Sequence, residues 1–143
     1  MRLTRFTDNA LRCLTVLALD ADTAVTVPDL ARRMRMSEDH LAKVVAHLAT
    51  LEIVTTTRGR SGGVQLLADP TTMRIGDVVR ATEASFALVE CFNPATSQCP
   101  IALSCVLAQA LDRALAAFLG VLDELTPADL VRSPRSLRRL LET

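Results

Sequence analysis

Apolar positions recur at helical spacing along most of the chain and give way to a strand-like pattern in one place. Residues 4–20, TRFTDNALRCLTVLALD, put Phe6, Ala10, Cys13, Leu14 and Leu17 on one stripe and predict an amphipathic helix, with Thr4 or Thr7 as its cap. At about 100° per residue, Cys13 stands roughly 140° from Asp8. Cys13 therefore belongs to the apolar stripe, and Asp8 shares the polar face with Arg12. A short helix follows from Thr26 to about Met34. Thr26 is its N-cap, Pro28 sits in its first turn, and Asp29 lies near the positive end of its dipole. Arg35-Met36 is too brief for an ordinary loop. Ser37 then caps a second helix, with Glu38 and Asp39 in its first turn and Leu41, Val44, Val45, Leu48 and Leu51 as its stripe. Two short helices joined by a tight turn make a helix-turn-helix candidate.

The strand-like stretch comes next. Ile53–Arg58 is β-branched, Gly59–Gly63 reads as a turn, and Val64–Leu67 reads as a return strand stopped by Asp69-Pro70. A hairpin placed directly after a helix-turn-helix is the layout of a winged helix. Residues 75–84 predict another helix, and residues 85–103 a loop. A long helix is predicted from about Ser104 to Leu125. Its seam of Leu107, Leu111, Leu115, Phe118, Leu122 and Leu125 alternates spacings of four and three, like a coiled coil. A stripe this broad exceeds what so small a chain covers by itself, which points to a homodimer. Thr126 caps a further turn in TPADLV, ahead of an Arg-rich end. The expected fold is mainly α with a small β-hairpin wing. The division is a winged helix-turn-helix domain over 1–84, a loop over 85–103, and a dimerisation helix with its tail over 104–143.

Composition adds little and excludes some classes. The 143 residues include no Trp or Tyr and four Phe, so the core is built from Leu, Val and Ala, which suits helix packing. Net charge is zero, and residues 1–74 carry ten basic and eight acidic side chains. Bulk charge therefore gives no nucleic-acid signal. All basic residues but Lys43 are Arg. Arg forks suit phosphates and guanine edges, though a GC-rich coding bias gives the same composition. The start has no signal-peptide pattern, and no apolar run approaches the roughly 18 residues of a membrane span. A cytoplasmic protein is expected. HExxH, Walker and Rossmann patterns are absent, and GRSGG lacks the Lys-Ser/Thr of a phosphate loop. An enzyme is not expected.

The winged layout points to double-stranded DNA as partner. The second helix of the pair would enter the major groove with its N-terminal residues foremost, which presents Ser37, Glu38, His40 and Lys43. Glu38 can accept from a cytosine amino group, although capping alone also accounts for Glu38 and Asp39. Arg58, Arg60 and the amides around Ser61, Gly62 and Gly63 would grip phosphates or a minor groove. His40 and His47 read as surface residues rather than metal ligands. Two reading heads in a dimer match a palindromic operator.

Cys91, Cys99 and Cys105 lie in CFNPATSQCPIALSC, spaced by seven residues and then five. Burial as structural thiols suits a lone helix cysteine such as Cys13, and suits three polar-flanked loop cysteines poorly. Structural zinc usually takes pairs two to four residues apart and four ligands, and neither His lies near. Iron–sulfur clusters are held by Cys thiolates, often with Cys-Pro in the loop, and Cys99-Pro100 fits that pattern. The stretch points to a cluster, with zinc or a thiol switch as alternatives.

Together, MRLTRFTDNALR, HLAKVV, RGRSGGVQL, RIGDVVRATE, the three cysteines and ALDRALAAFLGVLDELTPADLV resemble the winged-helix iron–sulfur regulators that include NsrR, IscR and RirA. The resemblance covers nearly the whole chain. It implies a homodimer with one cluster per subunit, of the [4Fe-4S] type in NsrR-like members. In those members an Asp of the first helix of the partner subunit completes the three Cys, and FTDNALR puts that role on Asp8. IscR-like members use a His three residues after the last Cys, where this chain has Ala108. The long first gap and SFALVECF look more like RirA, whose relatives lack the Asp. With Asp8 given more weight, the resemblance implies a repressor released from DNA when nitric oxide attacks its cluster. An iron-responsive regulator and a cluster-free thiol switch are the alternatives.

Overall fold

The structure, a computed structural model, describes residues 2–59 and 62–141. The apolar stripe of the first segment winds into α1 (Arg5–Leu19), capped by Thr4, whose side chain accepts from the Thr7 amide at 3.2 Å. Ala10, Cys13, Leu14, Val16 and Leu17 are fully or almost fully buried, so α1 is the central rod of the core. Against it pack α2 (Val27–Met34), α3 (Glu38–Thr50) and α4 (Ile75–Thr82). Their contributions are Leu30 and Ala31, then Leu41, Val44, Val45 and Leu48, then Ile75, Val78 and Val79. Thr26 caps α2 as expected, accepting from the Asp29 amide at 3.3 Å, with Pro in the first turn.

Both helices of the pair end without glycine. Arg35 adopts φ 52°, and the Met36 amide donates to the Ala31 carbonyl at 2.8 Å. Glu52 adopts φ 58°, and the Ile53 amide donates to the Leu48 carbonyl at 3.0 Å. Each is a left-handed helix stop, a role usually given to Gly. The second stop corrects one expectation. It turns the chain away at Leu51, which is 37% exposed instead of continuing the buried stripe. Ser37 occupies the N-cap of α3 but makes no side-chain cap bond, so Glu38 and Asp39 alone favour that helix start.

The hairpin pairs β1 (Val54–Thr57) antiparallel with β2 (Gly63–Leu66), Val54 opposite Leu66 and Thr57 opposite Gly63. Val25 extends it by a two-way backbone bridge to Val64, at 2.8 and 3.0 Å, which fixes the wing to the start of the helix-turn-helix. Mostly helical with a two-stranded hairpin, this is a winged helix.

After α4 the chain runs through short 3₁₀ turns at Glu90–Phe92 and Ala102–Ser104 into α5 (Val106–Asp123). The long helix begins two residues later than the pattern suggests, because Cys105 takes the cap position. Its far end docks on α4. Arg80 holds Asp123 with two hydrogen bonds of 2.6 and 2.7 Å, and the Ile75 amide donates to the Leu125 carbonyl at 2.9 Å. Gly76 makes this possible: a Cβ there would lie 1.8 Å from Asp123 Oδ1. Along the rest of α5 no residue is buried, and Val106, Leu107 and Val121 are 75, 65 and 61% exposed. Thr126 and Asp129 form a capping box at α6 (Pro127–Leu130). The Arg-rich end folds as α7 (Pro134–Leu141), which the pattern does not announce. Its Arg138 donates to the Leu19 carbonyl at 2.6 Å and pairs with Asp20 at 3.0 Å. Asp20 also holds Arg33 of α2 at 2.5 Å, and Leu141 packs against the core.

Candidate functional site

The candidate reading surface comprises α3 and the wing. Ser37, Glu38, His40 and Lys43 are all exposed on the first two turns of α3, whose opposite face is pinned by Leu41, Val44 and Val45. Arg58 is exposed just after β1. Arg60 and Ser61 lie outside the described residues. Gly62 closes the tip through a 3.0 Å bond from its amide to the Gly59 carbonyl. A Cβ at Gly62 would stand 2.4 Å from the Thr57 carbonyl oxygen, so only Gly permits this turn. His40 and Lys43 also line a small cavity of about 200 Å³ with Arg5, Phe6, Asn9 and Val44. Arg5 is thus a basic group beside the reading helix that the spacing arguments pass over. His47 is half-buried, edge-on to Phe6 at 5.4 Å and 3.2 Å from the Ala81 carbonyl, which ties α3 to α1 and α4.

The second site is the loop before α5. Cys91, Cys99 and Cys105 are partly buried free thiols, and all three line one cavity of about 240 Å³. Val89, Ile101, Leu107 and Leu111 make its walls apolar. Local turns position each sulfur. Cys91 is the middle residue of the first 3₁₀ turn, and the Cys99 amide donates to Ser97 Oγ at 3.4 Å. Cys105 is the N-cap of α5, with its Sγ accepting from the Ala108 amide at 3.4 Å. Among the described residues, no group of three His, Cys, Asp or Glu is arranged to hold a metal ion. The sulfurs thus share a cavity without forming a compact single-ion site. A multi-iron cluster takes thiolates at separate corners, so three soft donors around an apolar-walled cavity fit such a group.

The other two named residues stand apart from that cavity. Cys13 is fully buried in α1, and burial pushes its thiol from an ordinary 9.0 up to about 12. It is a core residue, as the helix geometry predicts. Asp8 is exposed on the polar face of α1, 3.7 Å from Arg12, and is not among the residues lining the cysteine cavity. Arg12 in turn donates to the Met34 carbonyl at 3.3 Å, at the turn between α2 and α3. One carboxylate does line the cavity: Glu90, which sequence spacing does not single out. Among the described residues no helix is long and apolar enough to cross a membrane.

Comparison with known proteins agrees with this anatomy. The chain is 45% identical over 143 residues to the HTH-type transcriptional regulator NsrR of Geobacillus kaustophilus, covering 99% of this chain and 97% of that protein. It is 41% identical to the regulator of the same name from Bacillus subtilis, covering 99% and 98%. Among solved structures, IscR of T. potens superposes with a TM-score of 0.75 over 92% of this chain and 87% of that one; at 22% identity this speaks for the fold alone. The Rrf2 model, described as an iron-dependent transcriptional regulator, matches residues 3–133. The chain belongs to the Rrf2 family of transcriptional regulators.

Proposed function

We propose that this regulator is a homodimeric repressor whose iron–sulfur cluster senses nitric oxide. One observation carries the reading: three cysteines from two turns and a helix cap line a single apolar cavity at the head of the exposed helix α5. Cys91, Cys99 and Cys105 would hold a cluster of the [4Fe-4S] type, one per subunit, and Asp8 of the partner subunit would complete it. When bound, the group supplies iron that reacts with nitric oxide, most readily where the ligand is a carboxylate rather than a thiolate.

The chain's own residues connect that site to DNA. Residues 1–84 carry the reading head, 85–103 the cluster loop, and 104–143 the dimer helix and tail. Leu107, Leu111 and Leu115 line the seam against a second copy. Asp8, if freed from that site, would rest on the polar face of α1, where Arg12 pairs with it and donates to the Met34 carbonyl at the helix-turn-helix turn. The two heads would then lose the spacing that a palindromic operator requires. Ser37, Glu38, His40 and Lys43 would meet the major groove, and Arg58, Arg60, Ser61 and Gly62 the adjoining backbone or minor groove.

The test is anaerobic purification, iron and sulfide analysis, and nitric oxide titration followed by operator binding. The expected result is a coloured protein that releases DNA as nitric oxide is added. A colourless, iron-free protein that binds DNA tightly and ignores nitric oxide would sink the reading. Asp8→Ala should keep the cluster but change its stability and the DNA response. The seven-residue gap between Cys91 and Cys99 favours a second reading, an iron-responsive regulator. Cluster loss under a chelator in the absence of nitric oxide, at the concentrations that release DNA, would support it.

A further inference from the structure

The long gap between Cys91 and Cys99 is not slack chain. Its first half is an Asn-centred turn: the Ala95 amide donates to Asn93 Oδ1 at 3.2 Å, and the Thr96 and Ser97 amides donate to the Asn93 carbonyl at 3.2 and 3.0 Å. Ser97 then receives the Cys99 amide at 3.4 Å. Across the mouth of the loop, Glu90 Oε1 accepts the Gln98 amide at 2.6 Å, the shortest bond in the segment. Glu90 immediately precedes Cys91, and Gln98 immediately precedes Cys99. This one contact therefore joins the residues that immediately precede the first two cysteines. Glu90 also lines the same cavity as all three cysteines.

We infer that Glu90 is a positioning residue, a latch that closes the seven-residue loop so that Cys91 and Cys99 face one cavity. Without it, two sulfurs separated by seven linking residues sample a wide range of distances. With it, the longer loop presents its cysteines as a shorter loop does. The inference rests on the proposed cluster reading for its purpose, but the geometry it asserts can be tested without a cluster.

The test uses the full-length chain and the variants Glu90→Ala and Glu90→Gln. In the apo protein, equilibration with a glutathione redox buffer oxidises the Cys91 and Cys99 thiols to a disulfide and reduces glutathione disulfide to two glutathiones. Peptide mapping by mass spectrometry reads the Cys91–Cys99 pair separately from pairs involving Cys105. In Glu90→Ala the equilibrium constant for that pair should fall about fivefold, the size of one net hydrogen bond. Glu90→Gln keeps an amide oxygen as acceptor and should stay within about twofold of the parent. In reconstituted protein, the rate of cluster loss on chelation should rise in Glu90→Ala and be rescued in Glu90→Gln. An unchanged disulfide equilibrium in Glu90→Ala overturns the latch. So does a Glu90→Gln variant that behaves like Glu90→Ala, since the carboxylate would then act on iron by its charge. If the parent protein assembles no cluster, the cluster reading falls while the disulfide measurement still decides the latch.

Discussion

Cys13 offers a clean separation between a packing thiol and a ligand. Its side chain has no exposure, and burial raises its thiol from 9.0 to about 12. The folded state therefore keeps the proton over a range in which the unfolded state has lost it. Stability from this group is complete below pH 9 and drains away as pH climbs towards 12. The slope is about 1.4 kcal/mol per pH unit, or about 4 kcal/mol across the window. Composition makes the effect readable, because the chain has no Tyr and a single Lys to titrate alongside the cysteines. Cys13→Ala removes the group and one buried heavy atom, which should cost about 1 kcal/mol near neutrality. The two stability curves should then cross near pH 10, with the variant the more stable above it. Urea unfolding followed by far-UV circular dichroism, with reductant present and pH stepped from 7.5 to 11, measures both arms. The loop cysteines are common to both proteins, so the difference isolates Cys13. A parallel alkaline slope in Cys13→Ala would refute the burial argument. Loss of bound iron in Cys13→Ala at unchanged stability would refute the core assignment.

Other features make shorter tests. Gly76→Ala should break the Arg80–Asp123 pair, since its Cβ falls on Asp123 Oδ1; hydrogen exchange at the Ile75 amide, now bonded to the Leu125 carbonyl, should accelerate. Glu52→Gly relieves a left-handed residue and should raise unfolding stability by about 0.5–1 kcal/mol in urea titrations. Leu107→Glu places a charge on the exposed apolar face of α5, and sedimentation should shift from dimer towards monomer without loss of helix content.

The sequence is most legible where local chemistry and global packing agree. Thr26 with Pro28 and Asp29, the capping box of Thr126, and the stripe containing Cys13 all act within a turn or two of themselves, and their residue types state their roles. Arg35 and Glu52 are less legible because their left-handed backbone is imposed by the packing of α2 and α3 against α1, with no Gly to mark it. Leu51 follows from that: the periodicity includes it, but the stop at Glu52 turns it outward. Gly76 looks like an unremarkable helix glycine until Asp123, forty-seven positions later, is seen to need its space. Glu90 has the same character, since its partner is an amide eight residues away across a loop that periodicity cannot fold. The docking of α7 depends on Arg138 meeting Asp20, a contact between α7 and the end of α1 with no sequence marker.

Three features of the single chain are incomplete: a three-sulfur cavity, a long helix with no buried residue, and an exposed Asp8 that does not line that cavity. One arrangement accounts for all three. On the proposed reading, a second copy packed along α5 covers the bare seam and its Asp8 completes the cavity. The arrangement makes a prediction that ligation within one chain does not. Asp8→Ala subunits mixed with subunits lacking all three loop cysteines should form heterodimers with one intact site, built from the cysteines of the first and Asp8 of the second. Ligation within a chain leaves every site in the mixture defective. Nitric oxide titration of the mixed dimer, compared with each parent homodimer, distinguishes the two. Recovery of the unsubstituted spectrum and response in about half of the sites places the carboxylate across the interface. A mixture that behaves as the sum of its parents places it elsewhere.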